Sequence, residues 1–257
     1  MIDWQKKMIV LFSAFSAGLF LFLFWRTDSR FWLAVEILLF FTVLFLLNWW
    51  QTHRQGKSIF ARLPLVIGSA GAILMLFSVV ENVNLQLFLV FLSILMIGFV
   101  FWFPDLTALP PHQRQPLRRL LMAFSSFIIF CCFSGIYALG VFFPELPFWL
   151  LIILPSLLSG FIAREGWHLY FDWPREKFRL ALWITFLLFW EIAWSIHFLP
   201  IGYLVQGLVA TWLWYLTYLL IRFNFSVEGI VWKRQLRFVL INFLFLALIL
   251  FFYVKWI

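Results

Sequence analysis

Residues 175–222 read REKFRLALWITFLLFWEIAWSIHFLPIGYLVQGLVATWLWYLTYLLIR. Two apolar runs, 180–199 and 203–220, are joined by the turn Pro200, Ile201, Gly202. Arg175, Lys177 and Arg179 stand at one outer end, Arg222 at the other, and no basic residue stands in the turn. A helix needs about 20 apolar residues to cross a hydrocarbon core of about 30 Å. Lys and Arg near helix ends resist translocation. The stretch therefore reads as a transmembrane hairpin, open on the cytoplasmic side and closed on the other.

Seven further runs obey the same logic, at 8–25, 31–50, 63–80, 85–103, 120–143, 148–163 and 236–254. With the N-terminus cytoplasmic, the gaps alternate between basic and charge-poor. Lys6, Lys7, Arg54, Lys57, Arg62, Arg114, Arg118, Arg119, Arg164, Arg175, Lys177, Arg179, Arg222, Lys233, Arg234 and Arg237 then share the inner side, and Arg26, Arg30 and Lys255 are left outside. Sixteen of the 19 basic residues on one side is the positive-inside pattern. The expected fold is all-α: a polytopic bundle of nine transmembrane helices in one domain over residues 1–257, N-terminus cytoplasmic, C-terminus extracytoplasmic.

Composition sets the same bounds. A chain with 65% hydrophobic and 12% charged residues cannot build a water-facing surface. Nine spans use roughly 180 residues at about 20 each, which leaves no room for a soluble domain. The net charge of +8 is accounted for by topology, so anionic lipid head groups at the cytoplasmic face, not nucleic acid, are the expected partners. Cys131 and Cys132 are adjacent within an apolar run, which rules out a disulfide framework. The first run carries the basic flank of a signal peptide, but Ser16-Ala17-Gly18 is followed by seven more apolar residues, and it reads as a retained helix. The expected location is a plasma (inner) membrane.

Basic pairs precede four of the runs, closing at Arg62, Arg118, Arg179 and Arg237. Any chain of short hairpins obeying the charge rule has such a period, so it does not require duplication. Small-xxx-small pairs (Ala14/Gly18, Gly68/Ala72, Cys131/Gly135 and Ser156/Gly160) mark faces for close helix packing. Residues 104–119 hold four prolines and read as an extended strap. Residues 164–179 and 222–237 mix charge with aromatics and read as head-group connectors, the second with Ser226 as a cap for a short interfacial helix.

Ionisable groups inside spans are expensive, so chemistry is sought there first. Glu36 lies five residues past Phe31, about 8 Å below the outer boundary, and Glu191 lies eight residues before Leu199, about 12 Å deep. Tyr203, Gln206, Gly207, Ala210, Thr211, Trp214, Tyr215 and Tyr218 form one face of the run at 203–220. The short turn brings that face within reach of Glu191 and Ser195. Glu191, Ser195, Thr211, Tyr215, Gln206 and Glu36 are therefore the candidate polar seam, read either as a proton-accepting or ligand-binding site or as a neutral tie between helices. Tryptophans at 183, 190, 194, 212 and 214 add surfaces on which a polyprenyl chain, quinone or carotenoid could stack, or that simply fill gaps.

Glu165 and His168 form a Glu-x-x-His half-motif whose complement is missing. The four histidines are not clustered, and no His-Glu-x-x-His, Gly-x-Ser-x-Gly or Walker sequence is present. No catalytic, cofactor or metal residue is assigned and no cofactor is expected. The leading expectation is a non-enzymatic subunit or scaffold of a membrane assembly, or a small carrier with a polar seam. The alternatives are an intramembrane enzyme on a lipid-linked substrate, with Glu191 as acid or base and Glu36 as its partner, and a proton-coupled transporter.

Overall fold

The computed structural model describes residues 2–27, 29–54, 62–103, 111–168, 170–171, 175–225 and 232–253. Ten helices lie among them: α1 (Ile2–Arg26), α2 (Arg30–Arg54), α3 (Leu63–Val79), α4 (Val83–Trp102), α5 (Pro111–Phe142), α6 (Phe148–Leu151), α7 (Ile153–His168), α8 (Arg175–His197), α9 (Tyr203–Asn224) and α10 (Trp232–Tyr253). Seven helices, counting α6 and α7 as one, are long and apolar enough to cross a membrane; α3 and the segment Leu236–Phe252 of α10 are apolar but shorter. The chain divides into two compact units, residues 1–117 and 118–257.

In the first unit α1 packs against α4 and α2, and α3 against α4 and α2. Gly18 lets α1 approach α4, since a Cβ there would stand 2.7 Å from Ile94 Cδ1, and a Cβ on Gly98 would meet Ala14 at 3.3 Å. Phe20 and Phe40 stack with centroids 4.1 Å apart. Gln51, buried on α2, donates to the Phe101 carbonyl of α4 at 3.1 Å. The turn into α4 is closed by Asn82, whose side chain accepts from the amides of Asn84 and Leu85, satisfying donors that hydrocarbon would leave bare.

In the second unit α7 packs on α8, α8 on α9, and α9 on α10 and α7. Aromatic donors tie the helices to one another's backbone. Tyr137 Oη of α5 donates to the Ala193 carbonyl of α8 (3.0 Å), Trp214 Nε1 of α9 to Ser159 of α7 (3.1 Å), and Trp167 Nε1 of α7 to Tyr218 of α9 (3.3 Å). Small polar side chains fill the interior, as in bilayers, where close backbone approach replaces the hydrophobic drive. Ser13, Ser69, Ser93, Ser159, Thr185 and Thr211 are buried, and each donates to a carbonyl three or four residues back in its own helix. Large apolar residues instead line the outside: Leu38, Leu39, Phe45 and Leu46 on α2, and Ile241, Leu244, Phe251 and Phe252 on α10. Together with the long apolar helices, this places the chain among integral membrane proteins.

Several boundaries differ from the expectations. Residues 111–119 are helical and not an extended strap. Pro111 opens α5, where its missing N–H is an orphan in any case, and Pro116 sits inside the helix. The run at 148–163 is interrupted at Ile152 between α6 and α7. Pro155 explains the break, because its ring conflicts with the carbonyl four residues earlier, that of Leu151. α7 then continues to His168, so residues 164–168 belong to a helix rather than a head-group connector, and Trp167 is fully buried. The rest of the strap (104–110), residues 172–174 and the Ser226 cap lie outside the described residues.

Candidate functional site

α8 has two unlike faces. Phe178, Ala181, Leu182, Thr185, Phe189, Ala193 and Ile196 are buried, and apart from the adjacent pair Ala181 and Leu182 their steps of three and four define the packed side. Glu191 lies two residues from both Phe189 and Ala193, about 200° around the helix at 100° per residue. It is accordingly exposed. Leu180, Ile184, Leu187, Trp194 and Phe198 are exposed with it. Together these six alternate steps of four and three, which is the spacing of a helix–helix seam.

Around Glu191 the outer face is hollowed into an open groove of about 650 Å³ lined by Trp149, Trp190, Glu191, Trp194 and Ser195. Trp149 comes from α6, the other four from α8. The Trp190 indole donates to the Trp149 carbonyl at 3.4 Å and holds α6 to α8. The Ser195 hydroxyl donates to the Glu191 carbonyl at 2.9 Å, so Ser195 is satisfied by its own helix. The Glu191 carboxyl group makes no hydrogen bond or ion pair among the described residues. A charged group at mid-span costs about 2.5–3.5 kcal/mol on insertion scales, whereas the apolar members of the face are at ease against acyl chains.

The structure does not bring Glu191 to Thr211 or Tyr215, and no polar seam forms between α8 and α9 at that depth. Thr211 is buried but donates to the Gly207 carbonyl of its own helix at 2.7 Å. Gly207 beside it lies against Ser134 of α5. Gly207 thus packs on α5 while Trp214 and Tyr218 of the same face meet α7, and Tyr215 is half-buried on α9 without a bond to the carboxylate. Gln206 alone of the α9 candidates reaches α8: its amide donates to the carbonyls of Ile196 (3.2 Å), His197 (3.5 Å) and Leu199 (3.1 Å). That is a C-terminal cap for α8, satisfying carbonyls that a helix end leaves open.

Glu36 belongs to the first unit, where its Oε1 accepts from the Thr27 hydroxyl at 2.8 Å and its Oε2 is buried without a partner. His197, half-buried at the end of α8, stacks on Phe148 with ring centroids 3.7 Å apart. His168 stacks on Phe178 with ring centroids 3.7 Å apart, and among the described residues no group of three His, Cys, Asp or Glu side chains that could hold a metal occurs.

The sequence marks Glu191 as an ionisable group within a span, and the structure places it on the side of α8 away from Thr211 and Tyr215. The available signal was the row Ala181, Thr185, Phe189, Ala193 at steps of four, whose small members mark the packed side and put Glu191 opposite. Compared with known proteins, the chain matches no family model, no curated protein and no solved structure.

Proposed function

We propose that this protein is a non-catalytic subunit of a membrane assembly, joined to its partner through the outer face of α8 centred on Glu191. The observation that carries the reading is the exposed Glu191 carboxyl group, without a bond partner, midway along a stripe of apolar residues at seam spacing. A polar residue at one seam position fixes register and partner at some cost in stability. In hydrocarbon it does so by a hydrogen bond, worth about 0.6–1.7 kcal/mol in membrane proteins. The partner is therefore a membrane-spanning helix with a hydroxyl, amide, carboxyl or basic group at the depth of Glu191. The flanking tryptophans offer it wide, rigid contact surfaces.

In this reading α3 and α10 also cross the bilayer, giving nine crossings in a plasma (inner) membrane, with the N-terminus cytoplasmic and the C-terminus outside. α3 has 17 residues, a length of about 25 Å, and a few ångströms of mismatch are met by modest bilayer thinning. The distribution of the basic residues supports that orientation.

Photo-crosslinking residues placed at Leu187 and Ser195, with Ile241 and Leu244 of α10 as lipid-facing references, test the proposal in the native membrane. A discrete protein adduct from 187 and 195 that disappears on adding Glu191→Leu is expected. Lipid adducts alone at all four positions would overturn it.

A further inference from the structure

At the end of the second unit opposite the α8–α9 turn, three elements converge on one aromatic ring. Arg118 stands near the start of α5, Arg222 near the end of α9, and Tyr170 just past the end of α7. The guanidinium carbons of Arg118 and Arg222 lie 4.7 Å and 3.7 Å from the centroid of the Tyr170 ring. Those distances put the two cations within roughly a Debye length of each other, about 8 Å in physiological salt, so they repel. Among the described residues, no carboxylate pairs with either. Glu165, on the last turns of α7, interacts with Arg164 instead.

The tyrosine ring does not meet this demand. A guanidinium over a ring offers its flat face to the π cloud, and its N–H groups point outward in the plane. Arg118 Nε is buried with no acceptor. The hydroxyl of Tyr218, a residue 1% exposed, is also buried with no partner, and it lies within electrostatic range of Tyr170, Arg222, Tyr215 and Arg118. Gly166 gives that tyrosine its place, since a Cβ there would stand 2.8 Å from Tyr218 Cε2. Buried donors are almost always satisfied, yet here, among the described residues, donors and cations collect without an acceptor.

We infer that Arg118, Arg222, Tyr170 and Tyr218 bind a phosphate-bearing group at the basic end of the second unit. The donors come from two helices, Arg118 from α5 and Tyr218 and Arg222 from α9, and a set drawn from separate elements suits the several acceptor oxygens of a tetrahedral anion better than the planar pair of a carboxylate. Arginine suits such a site through its fork of donors and its ability to stack on an aromatic face. The phosphate belongs either to an anionic lipid head group or to a soluble phosphate compound; the site stands where apolar spans end, within reach of both. The inference does not depend on the α8 face.

The full chain, delipidated in a maltoside detergent, is titrated with phosphatidylglycerol, with a glucosyl diacylglycerol that lacks phosphate, and with inorganic phosphate. Bound molecules are counted by native mass spectrometry and the melting temperature is followed. One phosphatidylglycerol retained at least tenfold more tightly than the glycolipid assigns the site to a lipid head group, and stabilisation by inorganic phosphate alone assigns it to a soluble anion. In either case R118Q/R222Q weakens binding tenfold or more, while R119Q/R179Q, which removes the same charge from exposed arginines, changes it less than twofold. Y218F keeps the ring, removes one hydroxyl and weakens binding at least threefold. Equal weakening by both arginine pairs, unchanged binding in Y218F, or no preference for any phosphate-bearing probe would overturn the inference.

Discussion

Gly207 of α9 rests so closely on Ser134 of α5 that a Cβ at 207 would stand 2.8 Å from the Ser134 amide nitrogen and 2.9 Å from its Cα. The obstacle is backbone and cannot rotate away. This contact sets Gly207 of α9 against α5, while Glu191 of α8 stays exposed.

Replacing Gly207 by leucine should therefore lower stability by at least about 1–3 kcal/mol, the usual cost of overpacking. Gly71, with nothing within 4 Å of an added Cβ, is the control. Gly71→Ala should be neutral or gain up to about 1 kcal/mol from helix propensity. Denaturant unfolding in bicelles measures both, and equal effects would show that the α5–α9 contact is not as tight as described.

Gln206 closes the far end of α8 through three carbonyls. Gln206→Leu keeps the volume and removes the donors, so a loss of about 0.6–1.7 kcal/mol is expected. Hydrogen exchange should quicken locally at the amides of Leu199 and Ile201. Unchanged exchange there would deny Gln206 its capping role.

In the first unit, Gly18→Ala drives a methyl group into the flexible end of Ile94. The single substitution should cost about 1–3 kcal/mol. Adding Ile94→Ala should relieve part of that cost, with a coupling of about 0.5–3 kcal/mol between the two sites. Strict additivity would mean that α1 and α4 do not meet at this point.

Orientation is read by labelling. Cys131 and Cys132 are buried, so introduced cysteines report alone. Arg119→Cys and Arg179→Cys should react only with reagent on the cytoplasmic side, and Glu145→Cys and Pro200→Cys only from outside. Opposite accessibility of 119 and 179 would reverse the assignment for one of the hairpins.

The helical, membrane-spanning character of the chain is legible in its sequence, because apolar length and the placement of charge act on each span separately. The stretch at 175–222 contains its own punctuation in Arg179, Pro200 and Gly202. Small residues are equally informative where helices approach closely, as Ala14, Gly18 and Gly160 show: a Cβ on Gly160 would stand 3.0 Å from the Leu182 carbonyl of α8. The orientation of a helix about its own axis is harder to read. In water the polar side of a helix faces out, but in lipid both sides of α8 carry apolar residues, and the packed one is marked only by the smallness of Ala181, Thr185 and Ala193. The apolar pattern alone therefore does not tell which side of α8 carries its carboxylate. The Arg118–Tyr170–Arg222 cluster was illegible for another reason: its members are separated by about fifty residues each, and only the fold brings the ends of α5, α7 and α9 together.

The most direct measurement is the mass of the particle that contains this 30.8 kDa chain, extracted gently from its native membrane at natural abundance, with Glu191 intact, replaced by Gln, or replaced by Leu. Wild type and Glu191→Gln should appear in a particle heavier than one chain, because the amide keeps a hydrogen bond across the seam. Glu191→Leu should release a folded single chain. A wild-type particle of one chain, or an assembly that survives Glu191→Leu unchanged, would contradict the account.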